Sequence, residues 1–278
     1  MKKIIALAVI ALAVAIPYFV LDGETMTLDD RTRASLPGSF VPLSDGVTHY
    51  ELAGPENGPV VVLVHGYTVP QFLWDPTFAA LVQAGFRVLR YDMYGRGFSD
   101  RPAVVNDPDL FDRQLAELLS ALKIPGPVDL AGISLGGAVC ATFTALHPDR
   151  VRRLVLLAPF GYPQKLGFLA ELIKVPYLGE YMMAVAGDKV LLGRLPKNFY
   201  RLPPDYARFK EQYLEMAKYK GYKKAFLSTM RHFMNVDFTT TFEAVGRQHH
   251  PVLLVWGRRD GVVPFATSEK VIKAIPGL

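Results

Sequence analysis

Five near-continuous apolar runs dominate the chain: residues 59–66 (PVVVLVHG), 86–92 (FRVLRYD), 127–134 (PVDLAGIS), 151–159 (VRRLVLLAP) and 251–257 (PVLLVWG). A strand with one wet face alternates apolar and polar residues. A strand apolar at successive positions is buried on both faces, which is the pattern of a parallel sheet. Parallel neighbours need crossover connections, and helix-like stretches at 75–84, 108–122 and 136–146 lie between the runs. The spacing therefore predicts an α/β chain with a doubly wound, mostly parallel sheet. Two shorter strand patterns, at 39–43 and 47–52, precede it. A length of 278 residues suits one such domain carrying an insertion.

The rhythm breaks between residues 161 and 247, where no strand pattern occurs and Pro163, Pro176, Pro196, Pro203 and Pro204 divide short helical stretches. A structureless loop of that length is rare in a compact domain, so a helical lid is expected. The division becomes 1–21 N-terminal segment, 22–37 linker, 38–160 with 248–278 core, and 161–247 lid. The lid holds 14 Lys and Arg against 8 Asp and Glu, whereas the other 191 residues hold 17 against 18. The basic balance thus sits on the lid. No nucleic-acid motif accompanies it, and lysine interleaved with aromatics (YLEMAKYKGYKKAF) suits an anionic lipid surface or a merely solvated helix face.

Lys2 and Lys3 precede 18 uncharged residues, 4–21. As a helix these would span about 27 Å, close to a bilayer core. An uncleaved transmembrane anchor is the preferred expectation. A signal peptide cleaved near Ala13-Val14-Ala15 is the alternative, and either places the remainder outside the cytoplasm. The lone cysteine, Cys140, lies in an apolar run and excludes an internal disulfide or a thiolate metal cluster.

The string VDLAGISLGGAV contains G-x-S-x-G as Gly132-Ile133-Ser134-Leu135-Gly136, following an apolar strand and opening a helix. That context makes Ser134 a candidate nucleophile on a tight strand-to-helix turn, where neighbouring side chains would clash. The helix N-terminus favours charge developing beside it. In LVHGYTVPQFLW, Gly66 lets the backbone approach, and the Tyr67 amide with that of Leu135 would hold an oxyanion. His65 is expected to order this loop rather than to act as a base. Asp260, in WGRRDGVVP, follows a strand end, where open α/β sheets place their sites. Asp92, Arg96 and Asp100 in YDMYGRGFSD are expected to close a loop.

These motifs, taken in order, resemble the α/β-hydrolase superfamily, in its lidded serine-hydrolase branch of esterases, monoacylglycerol lipases and C–C bond hydrolases. The resemblance covers about residues 40–275. It implies that Asp260 is the acid orienting a catalytic histidine, and that this histidine lies beyond it after a further strand. Relatives of this fold that dehalogenate or open epoxides use aspartate at the elbow, where this chain has Ser134. A short-acyl or monoacyl ester is the implied substrate, with Phe160, Tyr162, Leu166, Phe168, Leu169, Met182 and Met183 as apolar lid candidates. No metal or organic cofactor is implied, and the oligomeric state is left open.

No histidine follows Asp260. His249 and His250 precede the strand that leads to Asp260, roughly 17 Å from its far end. His147 ends the helix that Ser134 begins, roughly 18–20 Å away. His49 lies in an early strand, and His232 in the lid is the remaining substitute. The last strand and helix of the resemblance are thus expected to be missing, with activity impaired. Ester hydrolysis is the primary reading, C–C bond hydrolysis the runner-up, and a catalytically inactive membrane-associated binding protein the third.

Overall fold

The computed structural model describes residues 15–124, 126–164 and 167–278, together with Lys3 and Ala13. Among these residues the strands are β1 (Ser39–Leu43), β2 (Gly46–Ala53), β3 (Val60–Val64), β4 (Arg87–Tyr91), β5 (Val128–Ile133), β6 (Val151–Leu157) and β7 (Val252–Val255). They form a seven-stranded sheet in the order β1-β2-β4-β3-β5-β6-β7. The β1–β2 and β2–β4 pairs are antiparallel, and β4, β3, β5, β6 and β7 run parallel. The five apolar runs are these five parallel strands, as their unbroken hydrophobicity required.

The helices are α1 (Asp30–Arg33), α2 (Asp75–Gln83), α3 (Pro108–Ala121), α4 (Leu135–Leu146), α5 (Phe168–Ile173), α6 (Leu178–Met182), α7 (Asp188–Arg194), α8 (Tyr206–Ala217), α9 (Tyr222–His232), α10 (Thr239–Arg247) and α11 (Ser268–Ala274). Helix α4 is buried from Leu135 through Thr144, which places it at the centre of the core with Val62, Val64, Leu130 and Leu156 from the sheet. Helices α5 to α10 form the insertion between β6 and β7. A second apolar cluster joins α8 and α9 to Val69, Phe72 and Phe98 above the strand ends. Phe238, just before the last insertion helix, and Phe242 and Val245 within it pack into the main core.

The edge strand β7 leaves Leu253 56% and Val255 44% exposed, so its run is apolar without being buried on both faces. The expected transmembrane anchor, and the membrane-anchored location built on it, are corrected. Among the described residues no helix is long and apolar enough to cross a membrane. Residues 15–20 are helical up to a bend at Leu21. Tyr18 there stacks on Tyr181 of α6, ring centroids 6.4 Å apart, so this piece lies beside the insertion. Residues 4–12, and Val14 of the expected cleavage site, lie outside the described residues.

Candidate active site

Ser134 stands between β5 and α4 with φ 54° and ψ −121°, a conformation that costs a non-glycine residue about 1–3 kcal/mol. The surrounding glycines make the turn possible. A Cβ on Gly132 would press into the Gly136 carbonyl, and one on Gly136 into the carbonyl oxygens of Val64 and His65. The carbonyl of Ser134 accepts from Gly137 N, Ala138 N and Phe160 N, which pins the elbow to α4 and to the end of β6. Ser134 is half-buried and so remains reachable from solvent. Leu135 opens α4, and the first amides of a helix have no acceptor within it.

The loop after β3 lies directly against this turn: a Cβ built on Gly66 would be 3.6 Å from that of Ser134. That is an ordinary contact, so Gly66 is not required by sterics in the way that Gly132 and Gly136 are. Tyr67 follows, clamped on three sides. Its carbonyl accepts from Arg96 Nε at 3.1 Å, its hydroxyl donates to the Phe226 carbonyl at 2.7 Å, and its ring stacks on Phe226 at 4.2 Å.

His65 orders the loop, as expected, in a way that bears on Tyr67. Met93 N donates to Nε2 at 2.9 Å, so the proton sits on Nδ1 and is donated to the Gly66 carbonyl at 2.7 Å. The Gly66 carbonyl and the Tyr67 N–H share one peptide plane, which this bond holds. Complete burial, the main cause, pushes the His65 imidazole down to about 4. Unfolding therefore takes up a proton between about pH 6.5 and 4. His65 contributes about 3 kcal/mol of stability above pH ~6.5, and loses it as pH falls towards ~4. Imidazole ¹⁵N NMR should show a neutral Nδ1–H tautomer with a midpoint near 4; a midpoint above 6 would exclude the assignment.

Asp260 follows β7. Its Oδ1 accepts from Val262 N at 2.8 Å and Val263 N at 2.9 Å, and Trp256 Nε1 closes the loop on the Val263 carbonyl. Strand β6 separates the Asp260 loop from the elbow: Ser134 N donates to the Leu157 carbonyl, and Ala158 N to that of Val255. Ser134 and the end of β7 thus stand at the same edge of the sheet, two strand spacings or about 10 Å apart.

None of the chain's own histidines is placed there. His49 Nδ1 lies 2.7 Å from Asp92, and its Nε2 2.9 Å from the Pro37 carbonyl. His147 pairs with Asp112 at 3.0 Å beyond α4. His249 and His250 precede β7, and His232 is exposed at the end of α9. Asp92 is fully buried and accepts from Gln71 N and Phe98 N, closing the loop as expected. Asp100 accepts from Val47 N and pairs with Arg33. Arg96 is fully buried beneath Tyr67, and Tyr94 donates to the Gly46 carbonyl; both hold loops.

Of the apolar lid candidates, Phe160, Tyr162 and Met183 are buried within the fold and Met182 half-buried. Phe168 and Leu169 are 76% and 67% exposed, and Leu166 lies outside the described residues. Part of the lid's positive charge is consumed internally, with Lys223 on Asp22 and Asp188 and Arg231 on Glu180. Sequence reasoning missed Phe226, whose partner Tyr67 lies 159 residues away in the chain.

A family model described as alpha/beta hydrolase fold matches residues 59–278. A non-heme chloroperoxidase of Streptomyces lividans is 27% identical over 235 residues, covering 82% of this chain and 84% of that protein. A bifunctional esterase/perhydrolase of Acinetobacter calcoaceticus is 27% identical over 259 residues, covering 83% and 85%. The solved structure of a bacterial membrane phospholipase A superposes with a TM-score of 0.68 at 25% identity, over 99% of this chain and 88% of that one. With the family match spanning well over half its length, the chain belongs to the alpha/beta hydrolase fold family.

Proposed function

We propose that the chain is built as a serine hydrolase of carboxylic esters with an apolar acyl group. The observation that carries this reading is the strained backbone of Ser134, which glycines on both sides permit and the start of α4 faces. In this reading Ser134 Oγ attacks the ester carbonyl carbon, and the amides of Tyr67 and Leu135 receive the oxyanion. The alcohol leaves with a proton, and water later hydrolyses the acyl-enzyme. Asp260 is the carboxylate that would orient an imidazole lying between β7 and the elbow. The esterase and phospholipase relatives support an ester substrate.

A second reading, a binding protein with little turnover, is raised by one observation within residues 1–278: His49, His65 and His147 are committed elsewhere, His249 and His250 precede β7, and His232 is exposed at the end of α9. Loss of a triad histidine costs on the order of a millionfold in turnover. One experiment separates the readings. A fluorophosphonate should label the 278-residue chain slowly and only at Ser134. Free imidazole should accelerate labelling by tenfold or more, since a positioned base is worth ~10²–10⁴. No labelling with or without imidazole would favour the binding protein.

A further inference from the structure

Residues 22–28, which lead towards β1, run against the lid. Met26 N donates to the Lys218 carbonyl at 3.0 Å, and Lys220 N to the Met26 carbonyl at 2.9 Å. Two residues earlier, the Glu24 carboxylate meets the first turn of α9. Its Oε2 accepts from Gly221 N at 2.6 Å and its Oε1 from Lys223 N at 2.5 Å. Helix α9 has no side-chain cap of its own, because its N-cap is Gly221 at φ 91°. Glu24 supplies from 197 residues away the acceptor that an N-cap side chain normally provides, with charge of the favourable sign. The Lys223 ammonium, itself buried, bonds Asp22 at 2.7 Å and Asp188 at 2.9 Å and ties the same segment to α7.

Helix α9 carries Phe226, which stacks on Tyr67 and accepts its hydroxyl. We propose that Glu24 is a positioning residue. The segment around it is a latch that fixes the start of α9 and, through Phe226, holds Tyr67 beside Ser134. The latch combines these polar bonds with Met26 and Leu28, which pack against the apolar cluster of α8 and α9. A cavity of about 470 Å³ lies alongside Gly23, between it and Leu191, Leu192 and Leu214. In Glu24→Gln an amide NH₂ faces a backbone N–H whichever way it turns, and at least one helix donor loses its acceptor.

The consequence for turnover rests on the reading of Tyr67 as an oxyanion donor; the mechanical coupling does not. Hydrogen exchange of the full chain tests the coupling. Glu24→Gln, and Lys223→Met as a second variant, should speed exchange on the order of tenfold in peptides covering residues 218–230 and 62–72. Residues 128–146, at the centre of the core, should stay unchanged. Unaltered exchange in 218–230 overturns the latch, and faster exchange there with 62–72 unaltered overturns the coupling to Tyr67. In parallel, the maximal rate of Ser134 phosphonylation should fall in Glu24→Gln without a change in inhibitor affinity. A wild-type chain that is never labelled would defeat the ester-hydrolase reading, while the exchange result still decides the latch.

Discussion

Gly136→Ala should destabilise the protein by about 3–5 kcal/mol, a large part of an ordinary domain's total, and should abolish phosphonylation of Ser134. The added methyl group would press into the carbonyl oxygens of Val64 and His65, which belong to β3 and the loop after it and have no rotamer to escape into. Helix α4 cannot withdraw either, because it is buried from Leu135 to Thr144. Relief would push α4 away from β3 and open the approach between the elbow and the Tyr67 loop. Gly85→Ala is the informative control. Its φ of 87° also disfavours a side chain, but nothing lies within 4 Å of the new atom, so only backbone strain of about 1 kcal/mol is expected. Urea unfolding of the two variants reads the difference. Equal losses would show that α4 is free to move.

The second large effect separates function from stability at one position. Ser134→Ala should eliminate covalent labelling and leave stability nearly unchanged, because alanine inherits the same backbone strain. Ser134→Gly should also eliminate labelling but raise stability by about 1 kcal/mol. That figure is relief of a φ 54°, ψ −121° conformation, offset by the greater chain entropy that glycine loses on folding. Such a gain identifies strain kept for chemistry, since a purely structural turn has no reason to retain serine there. If the glycine variant proves less stable than the alanine variant, the Ser134 backbone is not strained and the elbow loses its main support.

What was legible in the sequence was local. Five unbroken apolar runs became β3 to β7: burial on both faces is imposed residue by residue on the inner strands, while β7 at the edge keeps its apolar run with Leu253 and Val255 exposed. The elbow was legible because a clash between neighbouring backbone segments shows directly as Gly132 and Gly136 around Ser134. Asp260 was legible as an aspartate closing the turn after β7, where it bonds the amides two and three residues on. The apolar N-terminal run misled for the same reason: hydrophobicity alone suggested a transmembrane helix, whereas its described end lies against α6.

Only the tertiary structure decided which distant groups meet. It gave the His65 imidazole its partners at Gly66 and Met93, seated Tyr67 between Arg96 and Phe226, and set Glu24 on the start of α9. No periodicity encodes a bond between residues 24 and 221. Backbone sterics act over a few residues and leave a mark in the local sequence, while the partners of a side chain depend on which surfaces the whole chain brings together.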